Sequence, residues 1–141
     1  MDARAEIIIA RPRREVARFI MDPRNDPLWG SSVESARPIQ PGPIVAGTRV
    51  EQVSKAWGVR SSVIYEITSL EPDTHMELHV NDPIEMWMLY ELDDTPGGTL
   101  VRARTKAAMP PSLAFKVFSF LARWNLRRDL RKLKRHLERA P

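Results

Sequence analysis

Residues 112–137 read as one helix set at the end of a run of short strands, and that element limits what else the chain can form. Ser112 is a good N-cap after Pro110-Pro111, and no Pro or Gly interrupts the run before Pro141. Such a helix is about 39 Å long. Its second half carries a narrow stripe, Leu126, Leu130, Leu133 and Leu137, with Arg and Lys elsewhere, the pattern of a helix lying on a core. The first half differs: Leu113, Phe115, Val117, Phe118, Phe120, Leu121 and Trp124 are apolar around most of the circumference. Something besides one sheet face has to cover that half. Trp124, where the two halves meet, is expected to pack in the core.

With 141 residues the chain is long enough for one domain, 1–141, with a sizeable core. It has no cysteine, which excludes disulfides, thiolate metal sites and a thiol nucleophile. The first residues carry no apolar signal core, and nothing approaches the roughly 20 apolar residues of a membrane span. A soluble, cytoplasmic protein is expected.

Charge is unevenly placed. From residue 112 onward 9 Lys/Arg stand against 2 Asp/Glu, +7, while residues 1–111 hold 13 against 16, −3, which together give the overall +4. Clustered cations suit nucleic acid or an anionic membrane. They equally suit a solvated face at the negative end of a helix dipole, and without aromatic interleaving or a nucleic-acid motif that plainer reading is preferred. No nucleic-acid partner is expected.

Twelve prolines and six glycines punctuate the rest. Residues 6–10 form a strand, Pro12 opens a helix through Val16, Phe19 and Ile20, and Asp22-Pro23 opens a second short helix ending near Trp29-Gly30. Strands follow at 32–39, 48–55, 59–70, 75–80, 84–92 and 99–108, joined after the second by turn-forming connections short enough for successive antiparallel hairpins. A seven-stranded antiparallel sheet of this kind twists and curls, and a lone terminal helix is too narrow to fill its concave face. A pocket is left toward the residue-112 end.

The order of these elements, together with Ala10-Arg11-Pro12, Asp22-Pro23-Arg24-Asn25-Asp26-Pro27-Leu28-Trp29, Gly47-Thr48-Arg49-Val50, Tyr65 to Pro72, Gly97-Gly98-Thr99 and Arg128 to Lys134, resembles the polyketide cyclase/dehydrase-like branch of the START (SRPBCC, helix-grip) superfamily. The resemblance covers nearly the whole chain. It implies an α+β helix-grip fold: a seven-stranded curved antiparallel sheet wrapped around a long C-terminal helix, with two short helices between strands one and two. It also implies a hydrophobic cavity, used in relatives for lipid carriage, hormone sensing or aromatase/cyclase chemistry.

Strand alternation nominates the pocket walls. Met86, Met88 and Tyr90 share a face with Ile84 and Leu92; Val63, Tyr65 and Ile67 share another, as do Met76, Leu78 and Val80. Methionines there make a soft, adaptable wall, or a plain core. Trp57 and Met109 at the mouth, Phe115 and Phe118 on the long helix, and Trp29, which either closes the cavity wall or packs in the core, are the further ligand-binding candidates. Trp57 is either a lid or ordinary rim packing. Trp87 falls on the wet face, as a dimer contact or through a β-bulge. For chemistry, Tyr65 and Tyr90 could position or protonate a carbonyl, and Asp82 and Glu85 at the rim could act as acid and base. No convergent polar cluster is legible. No metal or other cofactor is expected, since His75 and His79 stand about 13 Å apart on a strand.

The expected function is binding of a polyketide-like or lipid-like molecule, with its cyclisation or dehydration if the protein is an enzyme. A non-catalytic carrier or sensor is the alternative, and an interaction module using the basic helix is a third. Monomer and homodimer are both open.

Overall fold

The computed structural model describes residues 1–56, 58–82, 84–108 and 113–139, with only the backbone of 113–118. Seven strands, β1 (Asp2–Ile9), β2 (Val33–Pro38), β3 (Arg49–Ala56), β4 (Val59–Glu71), β5 (His75–Val80), β6 (Met86–Thr95) and β7 (Gly98–Ala107), form one antiparallel sheet. Its order is β1-β7-β6-β5-β4-β3-β2, so every neighbour after β2 is a hairpin partner and only β1 crosses to the far edge. Helix α1 (Arg13–Ile20), a 3-10 turn (Pro23–Asn25) and α2 (Asp26–Trp29) lie between β1 and β2, and α3 (Leu113–Arg139) closes the chain. Strand, helices, six strands and long helix are therefore in the order the sequence implies.

Boundaries move for local reasons. Ile84, expected inside the sixth strand, lies before β6 and is exposed. The β6–β7 hairpin is tighter than a five-residue loop, since Thr95 still pairs with Gly98. At Gly98 φ is +131°, and a Cβ would stand 2.2 Å from the Ile9 carbonyl oxygen, so only glycine lets β7 start against the end of β1. In β4 the register shifts between Ile67 and Ser69, a bulge that brings Leu70 opposite Met76.

One end of the concave face is sealed. Ile9, Leu92 and Val101 are fully buried there, and Leu130, Leu133 and Leu137 of α3 join Val16, Ala17 and Ile20 of α1 in the same core. Polar bonds fasten this end: the Ala10 N–H donates to Glu138 Oε2 at 2.9 Å, Lys134 Nζ to the Ile8 carbonyl at 2.8 Å, and Thr99 Oγ1 to the Arg11 carbonyl at 2.8 Å. Toward the other end, Val63, Val80, Met86 and Met88 face the same side but keep partial exposure.

Candidate functional site

The short helices bring a carboxyl group over the concave face. Asp22 Oδ1 accepts from the Arg24 N–H at 3.1 Å, and Pro23 fixes the first turn, so the chain turns into α2 with Asp26 at its start. The Gly30 N–H closes α2 on the Asp26 carbonyl at 2.8 Å. A Cβ on Gly30 would lie 2.8 Å from Val33 Cγ2, so glycine allows β2 to leave close under Trp29.

Asp26 meets two side chains that alternation points inward. The Tyr65 hydroxyl of β4 donates to Asp26 Oδ2 at 2.9 Å, and Gln52 Nε2 of β3 donates to the same oxygen at 3.4 Å. Burial pushes the Asp26 carboxyl up to about 7, against the two hydrogen bonds, which favour the charged form. It therefore exchanges a proton near neutrality. Tyr90 stands edge-on to Trp29, ring centroids 5.8 Å apart, and no described hydrogen bond engages its hydroxyl. Burial first, and then the Asp26 carboxylate, push both phenols above their ordinary range and keep them protonated. The buried Trp29 indole N–H has no hydrogen-bond partner among the described residues.

A second acid supports this arrangement from α3. Asp129 accepts from both the backbone N–H and the hydroxyl of Ser31, at 3.0 and 2.5 Å, tying the α2–β2 connection to the helix. Its carboxyl is raised by burial, against the two Ser31 bonds. Two acids, two phenols, an amide and an indole thus converge beside an apolar sheet face. This corrects the expectation that no polar cluster exists. Sequence reasoning missed Asp26, Gln52 and Asp129. The available signal was Gln52 falling in phase with inward Val50 on β3, a polar residue on a buried face.

The nominated residues are dispersed around this cluster. Tyr65, Ile67, Met76, Leu78, Tyr90 and Trp29 are buried on the concave side, whereas Val63, Met86 and Met88 are partly exposed there. Asp82 and Glu85 are exposed on the β5–β6 connection, and no described contact joins either to a tyrosine. Glu85 Oε1 instead lies 3.7 Å from His79 Nε2, beyond hydrogen-bond range. Trp57 and Met109, and the side chains of Phe115 and Phe118, lie outside the described residues. Trp87 points to the convex side, stacked on His79 at 5.3 Å, and β6 pairs without a register break, which removes the bulge alternative. Trp124 is not in the core: it is 48% exposed, with the Arg128 guanidinium 5.3 Å from its ring.

A groove of about 520 Å³ lies mainly on the convex side, lined in part by Glu6, Leu89, Glu91, Arg102 and Arg104. Arg102 pairs with Asp93 at 2.9 Å and Arg104 with Asp2 at 2.6 Å, so its lining charges are largely matched locally. The carboxyl raised to about 7 lies in the concave cluster, away from this groove. Among the described residues no group of acids and histidines is arranged to hold a metal, and no helix is long and apolar enough to cross a membrane.

Residues 1–138 match the family described as polyketide cyclase/dehydrase and lipid transport. No curated protein is detectably similar in sequence. Among solved structures, a Deinococcus radiodurans protein superposes with a TM-score of 0.71 at 22% identity, covering 98% of this chain and 97% of its own. A Mesorhizobium loti protein gives 0.76 at 20%, covering 100% and 99%. The di-domain ARO/CYC BexL of the BE-7585A biosynthetic pathway gives 0.76 at 20%, covering 98% of this chain but 46% of the di-domain. At these identities the likeness establishes the helix-grip fold alone.

Proposed function

The chain belongs to the polyketide cyclase/dehydrase and lipid transport family, and from that premise we propose that it binds a hydrophobic, polyketide-like or lipid-like molecule between the sheet and α3 and moves protons on it. The observation that carries the reading is the Asp26 carboxyl, buried beside an apolar face and balanced near pH 7 while hydrogen-bonded to Tyr65. Met86 and Met88 supply an adaptable wall.

In a β-hydroxy carbonyl ligand, ionised Asp26 takes the α-proton, and the Tyr90 hydroxyl, unengaged by described protein groups, donates to the carbonyl oxygen as negative charge develops there. The α-carbon electron pair forms the new double bond and the hydroxyl leaves, collecting the proton from Asp26 as water. Cyclisation uses the same first step, the carbanion attacking a second carbonyl of the folded chain, whose oxygen then takes the proton back from Asp26, with proximity supplying much of the rate. The carrier reading rests on the concave wall alone, where the partly exposed Val63, Met86 and Met88 would hold an apolar ligand by burial with no proton transfer.

Titration with a fluorescent fatty acid and a fluorescent polyphenol tests the site. Met88→Trp should weaken both by about tenfold or more with the fold intact, and unchanged affinity would place the site elsewhere. Asp26→Asn separates the two readings: on an enzyme it abolishes turnover of a β-hydroxy ketone probe while affinity persists, and on a carrier the wild type shows no turnover at all.

A further inference from the structure

The half of α3 that the sequence marks as apolar on all sides is not fully covered by the chain itself. Phe120 is 67% exposed, Leu121 46% and Trp124 48%. At 100° per residue these three lie opposite the buried stripe of Leu126, Leu130, Leu133 and Leu137, so their exposure follows from helix phase. Three large apolar side chains in two turns are a patch, which singly scattered residues are not. Two more, Val59 at 67%, the first residue of β4, and Ile84 at 43%, on the β5–β6 connection, lie at the end of the sheet from which α3 starts.

The same outward face continues as a row of cations. Arg127, Arg128, Arg131 and Arg135 are all exposed, and no described ion pair neutralises any of them. The two acids of the helix are turned to other work: Asp129 holds Ser31, and Glu138 holds Lys134 and the Ala10 N–H. Arg128 stands over the Trp124 ring, so the cationic and aromatic parts are one continuous surface.

We propose that this face of α3 docks the protein on an anionic lipid bilayer, Phe120, Leu121 and Trp124 entering the headgroup boundary while the arginines meet lipid phosphates. The division of the helix into an apolar tip and a cationic stem is what an interfacial helix needs. Each cation held near such a surface strengthens binding about fivefold. A second copy of the chain fits this face poorly, because two stems of unpaired arginines would meet. Nucleic acid also fits less well, since single strands are held in grooves with stacking platforms and this face is an outward-curved helix. The inference does not depend on the pocket, and its test uses vesicles without cargo.

Flotation of the whole chain with phosphatidylcholine vesicles, with and without phosphatidylglycerol, gives the readout. Flotation is expected only with phosphatidylglycerol, falling as salt rises. Phe120→Ser/Trp124→Ser should weaken partitioning about tenfold or more with every cation retained, and Arg127→Glu/Arg131→Glu should do the same with every aromatic retained. All four residues are exposed, and circular dichroism checks that each variant folds. Absence of flotation at low salt overturns the proposal, as does a serine variant that partitions like the wild type. Retention of duplex DNA without flotation would assign the face to nucleic acid, and a dimer that dissociates in the serine variant without flotation would assign it to a second copy; either result also overturns it.

Discussion

The two ends of the concave face belong to one continuous sheet, yet one is finished as a core and the other is not. Around Ile9, Leu92 and Val101, side chains of α1 and α3 interlock at zero to one per cent exposure, and the last turn of α3 is bonded to the end of β1. Around Val63, Met86 and Met88 exposure persists, and between the two ends a carboxyl is held where ionising it is costly. The difference teaches where the stability comes from. A domain can hold a strained titrating group only if another part of it supplies a surplus, and here the leucine stripe does so.

The contrast is most easily broken at the sealed end. Leu133 is fully buried under the sheet, so Leu133→Ala should cost about 3 kcal/mol, from lost transfer energy and the cavity left behind. Chemical denaturation would measure it, and a loss below about 1 kcal/mol would mean that this end is no tighter than the other.

A somewhat smaller effect, of opposite sign, is expected at Asp26. Its folded value of about 7 lies above the ordinary carboxyl value, so between about pH 4 and 7 the unfolded chain is ionised while the folded one keeps its proton. Stability contributed by this group is full at low pH and is lost as pH rises through that window. Asp26→Asn should therefore leave stability at pH 4 little changed and raise it at pH 8 by on the order of 2–3 kcal/mol. A wild-type profile without that decline would show the carboxyl to be less buried than its surroundings imply.

How much of this was legible beforehand follows from the range of the interactions. Alternation depends only on neighbouring residues, and it placed Val63, Tyr65 and Ile67, Met76 and Leu78, and Met86, Met88 and Tyr90 on the concave side, where they are found. Turn and cap chemistry is equally local, so Asp22-Pro23 and Gly98 marked their elements. Asp26 was legible only as part of a helix start. Its burial depends on β3, β4 and α2 meeting, contacts separated by 26 and 39 residues, which no local pattern encodes. The β4 bulge was hidden too, since straight alternation puts Ser69 where Leu70 comes to lie. Trp124 was misread for a different reason: composition argued for the core, but helix phase, followed from Leu126 and Leu130, already set it on the outer side. Trp57 and Met109, which the sequence reading puts at a pocket mouth, lie outside the described residues.

The smallest expected effect sharpens the comparison most, because it asks whether the Tyr65–Asp26 bond belongs to the site or to the core. Tyr65→Phe removes one hydroxyl and little volume, and a buried bond of this kind to a charged acceptor is worth about 1–2 kcal/mol. The bond favours ionised Asp26, so its loss should raise that carboxyl further and cost more stability at pH 8 than at pH 5. In an Asp26→Asn background the acceptor is neutral at every pH, and the penalty should shrink toward about 0.5–1 kcal/mol and become independent of pH. If Tyr65→Phe costs the same in both backgrounds and at both pH values, the hydroxyl is not coupled to the charge on Asp26. Tyr65 would then be a core residue that ends in a polar atom, and the proton at this site would be controlled by burial, Gln52 and the nearby Asp22 charge.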